Sequence, residues 1–178
     1  MQVQYDQADS AEELKQILVL QQRNLPGKLS IAEKHTEGFV TVEHTPELLE
    51  RMNIVCGHII AKDAGAVVGY ALCMHPQFYD EISVLKPMFT ELESKLPAGY
   101  RYMVMGQICV AKAYRGKGIF RGLYRLMSQK LKPDYEGVIT EVDARNLRSL
   151  NAHKAVGFRL ISSYTSGGQN WRLLHLSL

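Results

Sequence analysis

The chain has 178 residues, 46% of them hydrophobic, enough for one domain (residues 1–178) with a sizeable core. Its formal charge of +3 is small and spread along the chain, which argues against the concentrated basic face of a nucleic-acid binder; basic residues gather only between 112 and 132. No apolar run approaches the ~20 residues that span a bilayer, and the polar, acidic residues 1–14 do not read as a signal peptide, so a cytoplasmic protein with no membrane partner is expected.

Residues 2–5 read as a short strand. Ser10, followed at the capping-box spacing by Glu13, starts a helix through Leu14, Ile17, Leu18 and Gln22, which Pro26 and Gly27 end. Residues 28–44 show no firm period and are expected to form a loop lining a substrate site, with 38–42 a candidate strand. Thr45 as N-cap, Pro46 at the first helical position and Glu47 in the first turn predict a short helix over 45–52. The apolar runs 53–61 and 67–74 predict a hairpin around 62–66. With Ala64 and Gly65 as its turn, Asp63 faces Ala66 and His58 faces Ala71, which keeps His58 away from His75 and argues against a metal site there. Cys56, Cys73 and Cys109 lie in apolar runs without CxxC spacing, so buried reduced thiols and no metal are expected.

Met88, Leu92 and Leu96, with Phe89, form one helical stripe over 87–96, broken by Pro97 and Gly99. A central strand follows at 102–110. After a glycine turn, Ile119, Leu123, Leu126, Met127 and Leu131 mark one face of a helix and Lys117, Arg121 and Arg125 another; Pro133 closes it. Residues 137–142 form a strand, 146–156 a helix with Gly157 at its C-terminal cap, and 158–164 and 171–176 two strands joined around 166–168. The fold class is α/β: a mixed central sheet with antiparallel hairpins and a central βαβ unit.

Residues 107–124 carry the chemistry. A strand leads through Gly116 and Gly118 into a helix start, where unpaired amides and the helix dipole favour an anion, and Arg115, Lys117 and Arg121 add charge. A phosphorylated ligand is expected, the alternative being a merely solvated helix face. The P-loop pattern, GxxxxGK followed by Ser or Thr, is absent. A dinucleotide pattern nearly fits, since Gly116 and Gly118 give GxG and Asp143 follows the next strand, but the third glycine, Gly122, falls one residue late.

The stretch Arg115-Gly-Lys-Gly-Ile-Phe120 resembles the fingerprint of the GNAT superfamily of N-acetyltransferases: Gln or Arg, two free positions, Gly, one free position, then Gly or Ala. Residues 146–158, with Asn146, a helix and the ending Gly157-Phe158, are similar to the family's second motif. The resemblance implies the GNAT fold and acetyl-CoA as acyl donor. Residues matching its donor site are Ile108, Cys109 and Val110 along the pantetheine arm, Arg115, Gly116, Lys117, Gly118, Ile119, Phe120 and Arg121 around the diphosphate, and Asn146. Phe120 departs from the pattern and crowds the diphosphate unless its ring turns toward the core. Asn146 either caps its helix alone or also bonds the arm.

The implied activity is direct transfer of an acetyl group to a primary amine within a ternary complex, on a small molecule or a peptide. The alternative is a non-catalytic CoA-binding or regulatory module of the same fold. An amine of pKa ~10.4 is mostly protonated at pH ~7, so a base is required. The family often places a carboxylate on the fourth strand, where this chain has Val104, Gly106 and Gln107; the nearest carboxylate by sequence is Glu141, either a base or a solvent-facing strand residue. His153 occupies the position of the family's tyrosine acid, either as proton donor or as a packing residue. Phe39, Glu43, Phe78, Tyr79 and Tyr164 are candidate acceptor contacts. The edge strands of the last hairpin suit a homodimer.

Overall fold

Local signals start and stop most elements of the computed structural model, which describes residues 2–25, 27, 40 and 42–178. Strand β1 (Gln4–Gln7) precedes α1 (Ala11–Gln22), whose N-cap Ser10 accepts from the Glu13 amide. The Glu13 carboxylate bonds the Asp9 amide at 2.9 Å and Lys62 Nζ at 2.6 Å, so this cap also ties the helix to the sheet. Phe39 and most of the candidate strand at 38–42 lie outside the described residues.

Thr45 caps α2 (Pro46–Val55), which runs past the expected end and takes in residues assigned above to a strand. Apolar character misleads there, because Ile54 is 78% exposed. The hairpin of β2 (Ile59–Asp63) and β3 (Ala66–Met74) turns on Ala64 and Gly65, both at positive φ as a two-residue turn requires. Asp63 faces Ala66, but a bulge between Ala61 and Lys62 moves the rest by one, so Ile59 rather than His58 faces Ala71. His58 is a core residue: Nδ1 accepts from the Cys73 amide and Nε2 donates to the Leu49 carbonyl. Cys73 and Cys109 are buried thiols, and Cys56 is partly exposed.

Two short 3-10 turns lead into α3 (Lys86–Glu93), which buries Met88, Phe89 and Leu92. The central βαβ unit is β4 (Tyr102–Val110), α4 (Ile119–Leu131) and β5 (Gly137–Asp143). Then come α5 (Leu147–Ala155) and the closing hairpin of β6 (Arg159–Ser166) and β7 (Gln169–Ser177), which turns on Gly167 and Gly168, both at positive φ. Among the described residues seven strands lie in the order β1-β2-β3-β4-β5-β7-β6, and all pairs are antiparallel except β4 with β5. Ile119, Leu123, Tyr124, Met127 and Leu131 of α4 cover one face of the sheet, while α1, α2 and α3 supply the clusters on the other. No helix among the described residues is long and apolar enough to cross a membrane.

Two irregularities shape the centre. On β4, Gln107 faces Leu72 and Met105 faces Cys73, so Gly106 is an extra residue and the alternation reverses. Met103 and Met105 therefore pack toward α4, whereas Cys109 packs toward α1. The second is Gly122, the glycine that fell one residue late for a dinucleotide site. A Cβ there would stand 2.2 Å from Cζ of Tyr5, so this glycine lets β1 press its ring onto α4. Gly122→Ala is expected to cost about 1–3 kcal/mol by overpacking and Gly122→Ala with Tyr5→Ala less than the sum of the singles; urea unfolding of the four-member cycle measures both.

Candidate functional site

The site is a fork in the sheet. β4 and β5 pair only at Tyr102 with Gly137, Met103 with Val138 and Val104 with Ile139, although β4 runs on to Val110 and β5 to Asp143. Past those rungs the Thr140 hydroxyl donates to the Met105 carbonyl at 3.0 Å. A cavity of about 510 Å³ opens among the end of β4, the glycine turn, the start of α4 and α5, and a smaller one of about 60 Å³ lies beside it between β4 and β5. Both are lined by Ile108, Asn146 and Ser149, so they are neighbouring parts of one cleft.

Ile108, Cys109, Val110, Arg115, Gly116, Gly118, Ile119, Phe120, Arg121 and Asn146, all singled out by sequence, line the larger cavity. Gly116 and Gly118 have φ of 74° and 81°, and a Cβ on either meets nothing within 4 Å, so backbone conformation alone demands glycine. Gly118 is the N-cap of α4 and no side chain among the described residues caps this terminus, which leaves the first-turn amides open to a ligand. Arg121 and Arg148 add positive charge to the lining. Lys117 does not line this cavity; its ammonium lies 5.3 Å from the centre of the Tyr114 ring, whose hydroxyl donates to Asp63. Arg115 donates from Nε to the Val110 carbonyl at 2.9 Å and from Nη2 to Asn24 Oδ1 at 2.7 Å, joining the turn to the end of α1. Burial pushes the Cys109 thiol up to about 12, so it is no nucleophile at neutral pH.

Phe120 turns away from the glycine turn toward α5, with its ring 5.2 Å from that of Tyr124 and 5.1 Å from that of His153. Asn146 accepts from the Ser149 amide at 3.2 Å and so caps α5. Glycine turn, uncapped helix terminus and a strand end left unpaired on its β5 side together fit a long ligand with an anionic phosphate end and an amide-bearing arm.

The smaller cavity holds both sequence candidates for proton transfer. His153 is 1% exposed. Its Nδ1 lies 2.7 Å from the Ser149 carbonyl, which can only accept, so Nδ1 carries the proton and Nε2 accepts from the Tyr124 hydroxyl at 2.8 Å. Burial brings its pKa down to about 4, and the rings of Phe120, Tyr124 and Phe158 enclose it. At neutral pH it is uncharged with both nitrogens engaged. Glu141 is largely buried; burial pushes its carboxyl up to about 7, although a bond donated by the Tyr164 hydroxyl pulls the other way. Neighbouring Asp143 is different: Arg145 bonds both its oxygens and lowers its pKa, so it stays an anion.

Gln107, on the strand where the family often has a carboxylate, is the hub of a buried amide network. Its Oε1 accepts from Gln21 at 2.8 Å and Tyr70 at 2.5 Å, and its Nε2 donates to the Val42 carbonyl at 2.7 Å. Gln21 in turn holds His44 through the backbone amide and Nδ1. Of the acceptor candidates, Tyr164 reaches Glu141, whereas Phe78 is core and Tyr79 packs edge-on to Phe89. Glu43 takes a bond from Gln22. Sequence reasoning missed Tyr124, Asn24 and Trp171. Only Tyr124 carries a sequence signal, an aromatic one helical turn beyond Phe120.

A sequence profile described as the acetyltransferase (GNAT) family matches residues 20–158. No curated protein matches the chain significantly. Among solved structures the fold is similar to a chain of the NatC complex bound to Gag peptide and CoA (16% identity, TM-score 0.69, covering 100% of this chain and 99% of that one). It is also similar to Ard1 from Thermoplasma volcanium (14%, 0.65, 100% and 99%) and to a GNAT superfamily phosphinothricin acetyltransferase from Sinorhizobium meliloti in complex with AcCoA (18%, 0.65, 100% and 89%). The glycine turn generates a direct test. Gly118→Ala and Gly118→Asp strain the same φ, and only Asp adds a negative charge beside the helix terminus. Calorimetry with CoA is expected to give weakened binding for Ala and none for Asp, with both variants folded by circular dichroism.

Proposed function

We propose, from the premise that the chain belongs to the acetyltransferase (GNAT) family, that it moves an acetyl group from acetyl-CoA directly to a primary amine in a ternary complex. The observation that carries this reading is Glu141, a carboxyl held near neutrality at the fork between β4 and β5. A base of pKa about 7 is about half ionised near pH 7 and still has appreciable proton affinity. Bound acetyl-CoA supplies the thioester to be attacked.

In this reading the amides of the α4 start, with Arg121, hold the diphosphate, while Ile108, Cys109 and Val110 and the amide of Asn146 hold the arm. A backbone amide of the β4 end stabilises charge growing on the carbonyl oxygen. Glu141 takes the proton from the amine as its nitrogen forms the new bond to the carbonyl carbon and the bond from carbon to sulfur breaks. His153 has no proton on Nε2 to give, so its role here is to lock α5 against α4, and the departing sulfur takes its proton from solvent. The acceptor amine enters by the smaller cavity, past Gln107, Glu141 and Trp171.

Amine-dependent release of CoA across a panel of primary amines and peptide N-termini tests the activity; binding without release for any of them points instead to a non-catalytic module. Rates are expected to rise with pH and level off above about 7, and Glu141→Gln to lose 10²–10³-fold in kcat, within the usual range for general base loss (roughly 10²–10⁴). The same variant tests the burial of the charge. Between the ordinary carboxyl value of 4.5 and about 7 the folded chain binds one more proton at Glu141 than the unfolded chain. Stability therefore falls as pH rises through that window. Glu141→Gln is expected to be the more stable protein at pH 8, by about 1–3 kcal/mol, and to lose that advantage near pH 4. His153→Ala is expected to lower Tm and leave the midpoint of the pH profile unmoved.

A further inference from the structure

Tyr164 stands on β6, the outermost strand, with β7 between it and β5. It faces Trp171 on β7, and Glu141 faces Leu173 on the same strand, so the phenol lies across β7 to reach the Glu141 carboxylate with its hydroxyl. The ring is packed against the cluster that holds Phe89, Leu92, Ile139 and Leu173, which fixes its direction. On its other side α3 presents Glu91, whose carboxylate is held by the Ser162 hydroxyl and lies 3.7 Å from Lys95 Nζ. The remaining groups around Glu141 carry little that competes. In the small cavity β4 brings Gln107, β7 brings Trp171, α5 brings neutral His153, and Asp143 on β5 is paired with Arg145.

We propose that Tyr164 is the positioning residue of the base: its phenol holds the Glu141 carboxylate in one orientation at the fork and sets its affinity for the proton. The proposal rests on the reading of Glu141 as the base. A phenol donates more strongly to a carboxylate than to a neutral carboxyl, so the bond favours the ionised form against the penalty of burial. The phenol remains a donor throughout, because burial and the Glu141 charge raise its own pKa well above the ordinary value. Tyr164 thereby keeps a largely buried carboxyl usable at neutral pH, and among the described residues that line the small cavity there is no lysine or arginine to meet an approaching ammonium.

The test separates the proposal from the reading beneath it. Tyr164→Phe removes the hydroxyl and keeps the ring. Carbon-13 NMR of glutamate-labelled protein, with the Glu141 signal assigned by its loss in Glu141→Gln, reads the carboxyl directly. The expected result is a Glu141 midpoint about one pH unit higher in Tyr164→Phe, a tenfold change in proton affinity. The rate profile is expected to shift by the same amount and CoA affinity to stay unchanged. An unmoved Glu141 midpoint overturns the proposal. A moved midpoint with an unmoved rate profile upholds the coupling of Tyr164 to Glu141 and overturns Glu141 as the base.

Discussion

Three rungs of parallel ladder are all that join β4 to β5, and the parting of the two strands after Val104 and Ile139 is the constraint on which the rest of the site depends. Each strand is held firmly on its outer side, β4 by β3 and β5 by β7, so the opening is built into a well-paired sheet. The extra residue at Gly106 reverses the alternation of β4 just beyond the last rung. Gln107 is thereby aimed at α1, where its amide ties Gln21, Tyr70 and Val42 together. Unpaired backbone groups in a protein need partners. The Thr140 hydroxyl supplies one at the Met105 carbonyl, and the β4 end offers the rest to a ligand with amides of its own.

Charge is distributed unevenly along this fork. The outer end carries the uncapped α4 terminus and Arg121, suited to phosphate. The inner end carries Glu141, largely buried and raised to about 7, with the Asp143 anion paired to Arg145 beside it. Keeping a carboxylate there costs stability above the ordinary carboxyl range. The aromatic group of Phe120, Tyr124, His153 and Phe158 stands between the ends and fixes α5 to α4. Phe120, the departure from the family's fingerprint, is thus a packing residue that leaves the turn open.

Much of this was legible in the sequence where the physical demand is local. Gly116 and Gly118 are needed for positive φ, Ser10 and Thr45 for capping, and Ala64 with Gly65 for a tight turn; each is visible in a few neighbouring residues. Most of the residues lining the larger cavity lie in the glycine-turn stretch and the Asn146 helix, whereas Asn24 comes from the end of α1. What was not legible depends on distant partners. Gly122 makes sense only once Tyr5 is seen against it, and the bond from Tyr164 to Glu141 only once β7 is seen to lie between their strands. The end of α2 was misread because Ile54 and Val55 are apolar yet face outward, and the bulge at Ala61 moved a register that turn geometry alone had set. His153 could be placed near the site by spacing, but its protonation follows from the Ser149 carbonyl and the Tyr124 hydroxyl, which spacing does not reveal.

The central claim is that the donor lies in the opening between β4 and β5 with its reactive end at Glu141. Amide hydrogen exchange by NMR, with and without CoA, reads this residue by residue. The account predicts strong added protection at residues 108–110 and 116–120, with little change along β1 and β2. Protection appearing elsewhere, with residues 108–110 and the start of α4 exchanging as in the free protein, would contradict it.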